Sequence, residues 1–333
     1  RDTAAAIAEE IGMLSPGGKV LTGAELDQMS DEELAGVVDT VDAYARVSPA
    51  HKMKIVDALK SRGHVVAMTG DGVNDAPALK RANIGVAMGI TGTDVTKETA
   101  DMVLTDDNYA SIVSAIEEGR VIYSNIRKFV FYLISCNVGE ILIIFISMLA
   151  GLPIPLRPIQ LLWLNLVTDG APALALGLEK GDPDIMRRSP RPAKEPVINR
   201  EMSVGVLVQG VVMTAAVLGA YYFIGLQRYG PGNTAQTVAF ATLIVSELLR
   251  AYTARSERYP LLKIGVFGNR WMQDAVGVSL VLLFLVVYVP FLQRIFGTTA
   301  LPAGDWLLML PFMLAASVAA EVTKFIVSRR AAR

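Results

Sequence analysis

The sequence predicts an α/β domain with a parallel, doubly wound sheet, followed by an all-α transmembrane domain of six helices. Three observations carry that expectation. Up to about Asn108, short apolar runs alternate with helical patterns in a segment of ordinary soluble composition. From about residue 126 onward, long apolar segments fill the chain. The whole is 52% hydrophobic with a formal net charge of -1 and a mean hydropathy of +0.42, too apolar for a soluble enzyme of that charge balance. Two regions with different solvents are implied, residues 1–108 and 126–333, joined by an amphipathic stretch at 109–125.

In the first region, strands are expected at 19–21, 44–47, 65–68, 84–88 and 102–104, with helices at 3–12, 30–38, 49–61 and 75–81. Ser48-Pro49 is a helix start, serine as cap and proline in the first turn, which puts Lys52 near the positive end of that helix. In the second region, spans are expected at about 126–150, 159–178, 201–226, 235–254, 272–291 and 305–328. Each is near the roughly 20 residues that cross hydrocarbon.

Positive charge orients the spans. Arg127 and Lys128 precede the first; Lys180, Arg187, Arg188, Arg191, Lys194 and Arg200 lie between the second and third; Arg255, Arg258, Lys263 and Arg270 lie between the fourth and fifth. The alternate connections carry only Arg157, Arg228 and Arg294. The positive-inside rule then places the soluble region and both chain ends in the cytoplasm.

Near-zero net charge argues against a nucleic-acid partner. The single cysteine, Cys136, excludes an intrachain disulfide and a cysteine-only metal cluster; it sits in an apolar run and is assigned no function. His51 and His64 lack metal-ligand spacing to a second candidate and read as solvated or packed side chains. The first ten residues lack the apolar core of a secretory signal and read as a helix entered without its preceding strand, so the chain is expected to be a piece of something longer.

The string "TGDGVNDAPALK", residues 69–80, follows an apolar strand and runs into a helix start at Pro77. It therefore lies at the carboxyl end of a strand, where open α/β sheets bind ligands. A tight turn there directs Asp71, Asn74 and Asp75 toward one small volume suited to Mg²⁺, with Gly70 and Gly72 permitting close backbone approach and Lys52 neutralising phosphoryl oxygens. Any one of these dipeptides alone is turn chemistry. The whole string resembles the hinge motif of P-type cation-transporting ATPases, and "ARVSPAHKMKIV", residues 45–56, resembles the lysine-bearing segment that precedes it in that family. The resemblance implies that residues 1–108 are part of a haloacid-dehalogenase-like, Rossmann-like phosphorylation domain. It makes Asp71 the Mg²⁺ ligand, has Asn74 and Asp75 support the phosphorylated site, and gives Lys52 the phosphoryl group.

A second group of polar residues lies where hydrocarbon demands apolar ones. "SCNVGE" places Asn137 and Glu140 on one helical face, "LLWLNLVTDGAPALALG" places Asn165, Thr168 and Asp169 on another, and Glu247 stands within "TLIVSELLRAY". An ionised carboxylate in a span costs several kcal/mol unless it meets a partner, so these are candidate functional residues. Asn165 or Thr168 taken singly reads as an interhelical hydrogen bond, and the same plain reading holds for Gln209 and for Glu321, which has Lys324 three residues on. Together, the three carboxylates with amide and hydroxyl oxygens form an oxygen-only cage of the kind Ca²⁺ tolerates. Pro172 frees the carbonyl of Thr168, and Gly170 eases local unwinding, as in the interrupted helices of transporters.

"SCNVGE", "NLVTDGAPALALG" and "EVTKFIVSR" resemble the fifth, sixth and last spans of type II Ca²⁺-ATPases of the sarcoplasmic-reticulum kind. Carried over, Asn137, Glu140, Thr168, Asp169 and Glu247 form one Ca²⁺ site, and Asn165 and Asp169 contribute to a second. Gly139 stands where sodium pumps typically have proline, which favours Ca²⁺. The resemblance implies an ATP-driven pump using Mg²⁺, with residues 109–125 as the stalk that tilts during the cycle, and with the rest of the pump and the lipid bilayer as partners. Buried carboxylates that lose Ca²⁺ take up protons, so H⁺ counter-transport is expected. The family's Asp-Lys-Thr-Gly-Thr nucleophile string, its nucleotide-binding and actuator domains and its first four spans have no counterpart here, so this chain alone is expected to be inactive. The alternatives are a P-type ATPase for Na⁺, Mn²⁺ or H⁺, and a non-enzymatic membrane scaffold with a truncated phosphatase-like domain.

Overall fold

The computed structural model describes residues 1–192 and 195–331, with side chains described as far as Phe325. Lys194, counted among the orienting charges, lies outside the described residues, as do the side chains at the end of the "EVTKFIVSR" motif. The chain forms two compact units, Arg1–Ile116 and Glu117–Arg333.

The first unit runs α1 (Asp2–Glu10), β1 (Lys19–Thr22), α2 (Gly23–Gln28), α3 (Asp31–Val37), β2 (Val41–Ala45), α4 (Pro49–Ser61), β3 (Ala67–Gly70), α5 (Ala76–Arg81), β4 (Ile84–Met88), α6 (Asp94–Thr99) and β5 (Met102–Leu104). All strand pairs are parallel, as alternation predicts, but they form two sheets, β1-β2 and β3-β4-β5, rather than one. β2 starts earlier than the expected 44–47 and stops at Ala45, because Arg46 takes φ 51, a left-handed conformation that breaks the ladder. β3 starts later than expected because Gly63, at φ 89, turns the chain out of α4 and leaves Val65 on the surface. The helices α2 and α6 escape periodicity because each has six residues, too few to show a 3.6-residue repeat. Their caps, Thr22 with Glu25 and Thr93 with Thr96, hold them. Leu21, Leu26, Leu34, Val38 and Ala58 form the core over β1 and β2.

The helix α7 (Tyr109–Leu149) contains both the expected stalk and the first span without a break. It is followed by α8 (Pro158–Trp163), a π-helical turn at Leu164–Thr168, α9 (Gly170–Gly177), α10 (Arg200–Ala220), a second π turn at Tyr221–Leu226, α11 (Gln227–Tyr229), α12 (Asn233–Thr253), α13 (Leu261–Ile264), α14 (Arg270–Tyr288), α15 (Pro290–Phe296) and α16 (Ala303–Ala331). α14 stops before the expected 291 because Pro290 lacks an N–H and opens α15 instead.

Among the described residues, five helical stretches are long and apolar enough to cross a membrane: Tyr109–Leu149, Pro158–Gly177, Arg200–Tyr229, Arg270–Tyr288 and Ala303–Phe325. The expected count of six is not reached by that measure, because α12, the fourth expected span, carries too many polar groups, Glu247 and Arg250 among them. Its position explains the composition. α12 packs against α10, α14 and α16, and fifteen of its 21 residues are buried. It is the central helix of the bundle, so its polar groups face protein.

Expected unwinding at Gly170 appears as a π turn just before it: the Asp169 N–H donates to Leu164 O over 2.9 Å, and the Ala173 N–H to Asp169 O over 3.0 Å. Pro172 has no N–H to give the Thr168 carbonyl, and the helix is widened by one residue just upstream.

Candidate phosphate and ion sites

In the α/β unit, Ser48 caps α4 and the His51 ring Nδ1 accepts the Ser48 N–H at 3.1 Å, closing the cap from both sides. The His51 Nε2 is 2.8 Å from Asp27 Oδ1, and His64 Nε2 is 2.7 Å from Asp39 Oδ1, so the rings are tied to aspartates 24 and 25 positions away. The cap places Lys52 in the first turn of α4, from where its Nζ donates to Asp75 Oδ1 at 2.6 Å. Asp75 Oδ2 accepts the Gly72 N–H at 3.3 Å. Asp75 is 7% exposed. Burial pushes its carboxyl up, but the Lys52 ammonium and the Gly72 N–H outweigh it and hold the group below the usual aspartate range. Gly70 is required at the end of β3, since a Cβ there would overlap that of Asp75.

The fold thus joins Lys52 to Asp75 and leaves Asp71 and Asn74 exposed on the same loop, without a side-chain hydrogen bond between them. Asp71 is anchored through its carbonyl, which accepts the Thr93 N–H at 3.0 Å. Its exposed carboxylate has no side-chain partner among the described residues, and a free carboxylate offers the hard oxygen that Mg²⁺ takes.

In the helical unit, Glu140 of α7, Asp169 at the end of the π turn and Glu247 of α12 are all buried, at 6%, 1% and 0% exposure. Tyr132 OH donates to Asp169 Oδ1 at 3.1 Å, and the Asn165 amide donates to Glu140 Oε2 at 2.8 Å. Asp169 and Glu247 approach within 4.8 Å through one carboxylate oxygen each. Glu140 Oε1, Asp169 Oδ2 and both Glu247 oxygens have no hydrogen-bond partner. Buried oxygens without donors are costly, and several of them from three elements make this carboxylate cluster a candidate cation site.

The other expected ligands stand differently. Thr168 is buried, and its hydroxyl donates to Leu164 O at 2.9 Å, leaving its oxygen lone pairs available. Asn165 also bonds Leu161 O at 3.0 Å and is exposed on its outer side. Asn137 is not brought to the cluster: it is exposed, and its amide donates to Leu133 O at 2.8 Å within its own helix. Gln209 is buried, but its Oε1 has no partner, so the expected interhelical bond through that atom is missing. Glu321 pairs with Lys324 at 2.8 Å, as their spacing implies.

Three residues of this region were not legible as site residues. Arg250, 1% exposed, lies one turn after Glu247, donates to Ser135 Oγ at 2.5 Å and stacks its guanidinium 5.1 Å over the Phe131 ring. Its charge acts on both Asp169 and Glu247. A basic residue three positions after a carboxylate in an apolar run was the available signal. Tyr132 and Cys136 gave none, because a tyrosine and a cysteine in an apolar span read as packing.

These features define a multi-span membrane protein that carries a haloacid dehalogenase-like domain on one unit and a buried carboxylate cluster in the other. Residues 1–83 and 53–116 each match a haloacid dehalogenase-like hydrolase family. Residues 153–326 match the family described as cation transporting ATPase, C-terminus. The chain belongs to the cation-transporting ATPase family. It is similar to a calcium-transporting ATPase of Bacillus subtilis (strain 168), 49% identical over 325 residues that cover 95% of this chain and 36% of that protein. The endoplasmic reticulum calcium ATPase srcA of Aspergillus fumigatus is 42% identical over 340 residues, covering 92% and 35%. The human calcium-transporting ATPase type 2C member 1 is 39% identical over 325 residues, covering 97% and 35%. The chain therefore spans about a third of the length of the curated relatives it matches.

Proposed function

We propose that the chain is the carboxyl-terminal part of an ATP-driven Ca²⁺ pump that exports Ca²⁺ from the cytoplasm in exchange for H⁺. The observation that carries this reading is the set of unpartnered carboxylate oxygens on Glu140, Asp169 and Glu247, brought from three elements into one buried region. Their hard, oxygen-rich character suits Ca²⁺ as the transported substrate. Asn165 and Thr168 complete the cage; Asn137, exposed and bonded to Leu133 O, is not counted among its ligands. Three carboxylates outnumber the single guanidinium of Arg250, so the emptied pocket takes up protons.

At the phosphate end, Asp71 would hold Mg²⁺, which when bound neutralises phosphoryl oxygens. Lys52 contacts the phosphoryl group, Asn74 orients it, and Asp75 holds the Lys52 ammonium in place through the 2.6 Å bond. The unbroken helix α7 supports a stalk that connects the phosphate chemistry to Glu140. The distribution of lysine and arginine supports a cytoplasmic placement of the α/β unit and of both chain ends, in the plasma membrane if the source is bacterial.

Equilibrium ⁴⁵Ca²⁺ binding to membranes carrying the whole gene-encoded protein tests the reading. Glu140→Gln and Asp169→Asn are each expected to weaken binding at least ~100-fold, the loss of roughly 2.7 kcal/mol that an uncompensated ligand implies. Unchanged affinity in both variants refutes the ion site.

A further inference from the structure

We infer that Cys136, Asp169 and Glu247 form a mixed sulfur–oxygen site for a thiophilic divalent cation of the Zn²⁺ or Cd²⁺ type, overlapping the pocket proposed above for Ca²⁺. One ligand atom from each of the three residues, Sγ and two carboxylate oxygens, lies within 4.8 Å of the others. All three side chains are buried: Cys136 and Glu247 are fully enclosed and Asp169 is 1% exposed. The carboxylates that face the thiol are short of partners: both Glu247 oxygens and Asp169 Oδ2 receive no N–H or hydroxyl hydrogen bond, and the two carboxyl groups have only each other to share a proton with. No hydrogen bond among the described residues engages Cys136, so the sulfur is also free to ligate.

A tetrahedral Zn²⁺ with bonds of about 2.0–2.3 Å sets its ligand atoms about 3.5 Å apart. The three atoms need to close by only about 1 Å, within the reach of side-chain rotation. The residues come from three separate elements, α7, the end of the π turn and α12, and a water would supply the fourth ligand. Binding exchanges the thiol proton for the metal, and the proton leaves to water. Ca²⁺ gains nothing from sulfur, whereas Zn²⁺ and Cd²⁺ gain much. Cys136 therefore decides whether softer ions compete for the pocket while leaving Ca²⁺ affinity nearly untouched. This inference rests on the location of the proposed Ca²⁺ pocket but not on Ca²⁺ being its cargo.

The test is CdCl₂ titration of the full chain purified in detergent, read by the ultraviolet sulfur-to-cadmium charge-transfer band. Since the chain has one cysteine, the band can come from Cys136 alone. The wild type is expected to show the band at one Cd²⁺ per chain. Cys136→Ser and Cys136→Ala, the second a guard against misfolding of the first, are expected to abolish it and to weaken Cd²⁺ binding at least ~10-fold. Asp169→Asn and Glu247→Gln are each expected to weaken the band's titration by a similar factor, which a thiol exposed by unfolding would not show. No band in the wild type, or Cd²⁺ binding indifferent to the two carboxylate variants, overturns the site. Excess Ca²⁺ is expected to displace Cd²⁺. A Cys136-dependent band that Ca²⁺ leaves untouched keeps the thiophilic ligands but overturns the overlap and counts against the Ca²⁺ reading. Ca²⁺ binding without any band overturns only the present inference.

Discussion

Lys52 Nζ and Asp75 Oδ1 meet at 2.6 Å across 23 positions of sequence, tying the first turn of α4 to the loop that follows β3. Asp75 is held below the usual aspartate range despite its burial. Because its folded-state value lies below the unfolded one, the stabilisation is present above about pH 4 and is lost as pH falls through the lower, folded value. Lys52→Met is expected to cost about 2 kcal/mol at neutral pH and little in strong acid. Amide hydrogen exchange over residues 70–76 of the full chain checks this; equal effects at both pH values would show that the pair does not hold the loop.

Gly70→Ala tests the same loop from the other side. The new Cβ would overlap the Asp75 Cβ, a backbone-proximal atom that cannot swing away. Overpacking of this kind costs about 1–3 kcal/mol. Faster exchange over residues 68–76, with the helical unit unaffected, is the expected outcome.

Arg250 places a fixed positive charge beside a pocket proposed to receive a divalent cation. Arg250→Gln keeps a donor for Ser135 Oγ and removes the charge. Like charges repel strongly at an effective dielectric near ~20, so Ca²⁺ is expected to bind at least ~10-fold more tightly in the variant. A weaker affinity would show instead that the guanidinium holds the carboxylates in place for the ion.

Arg255 and Glu179 form a buried bidentate pair, with Nε–Oε2 at 2.7 Å and a terminal guanidinium N–H to Oε1 at 3.1 Å. Asn269 donates to the same carboxylate at 2.9 Å, and Arg255 also bonds the carbonyls of Gly265 and Val266 at 2.8 Å each. Lysine cannot reproduce that fork. Arg255→Lys is expected to lower stability by about 3 kcal/mol, the cost of leaving a buried carboxylate poorly paired. Thermal unfolding in detergent measures it, and Glu179→Gln in the same chain is expected to recover part of the loss.

Much of both sites could be read from sequence because each is local. "TGDGVNDAPALK" holds the strand end, the turn and the helix start within twelve residues, and β4 and β5 fall at their expected positions. Glu140, Asp169 and Glu247 stand out because charge inside an apolar run is rare. What stayed hidden depends on distance in sequence. Nothing near Tyr132 says that its hydroxyl reaches Asp169, 37 positions away, and nothing near Cys136 says that two carboxylates face its sulfur. Asn137 shows the reverse error: helical spacing put it with Glu140, yet its amide turns back onto Leu133. Helical phase narrows the face but does not fix the rotamer. The sheet was read as one because alternation reveals parallel pairing and not how strands group.

The central helix α12 has a consequence for how the bundle is made. Asn233 alone among its 21 residues is exposed, so the segment offers lipid almost no surface, and Glu247 and Arg250 oppose its partition into hydrocarbon by itself. A segment of that kind is expected to enter the bilayer only in company with the helices that enclose it, α10, α14 and α16. The polarity that equips the pocket thus makes biogenesis cooperative, and damage to a neighbouring helix would strand α12 before it ever meets an ion.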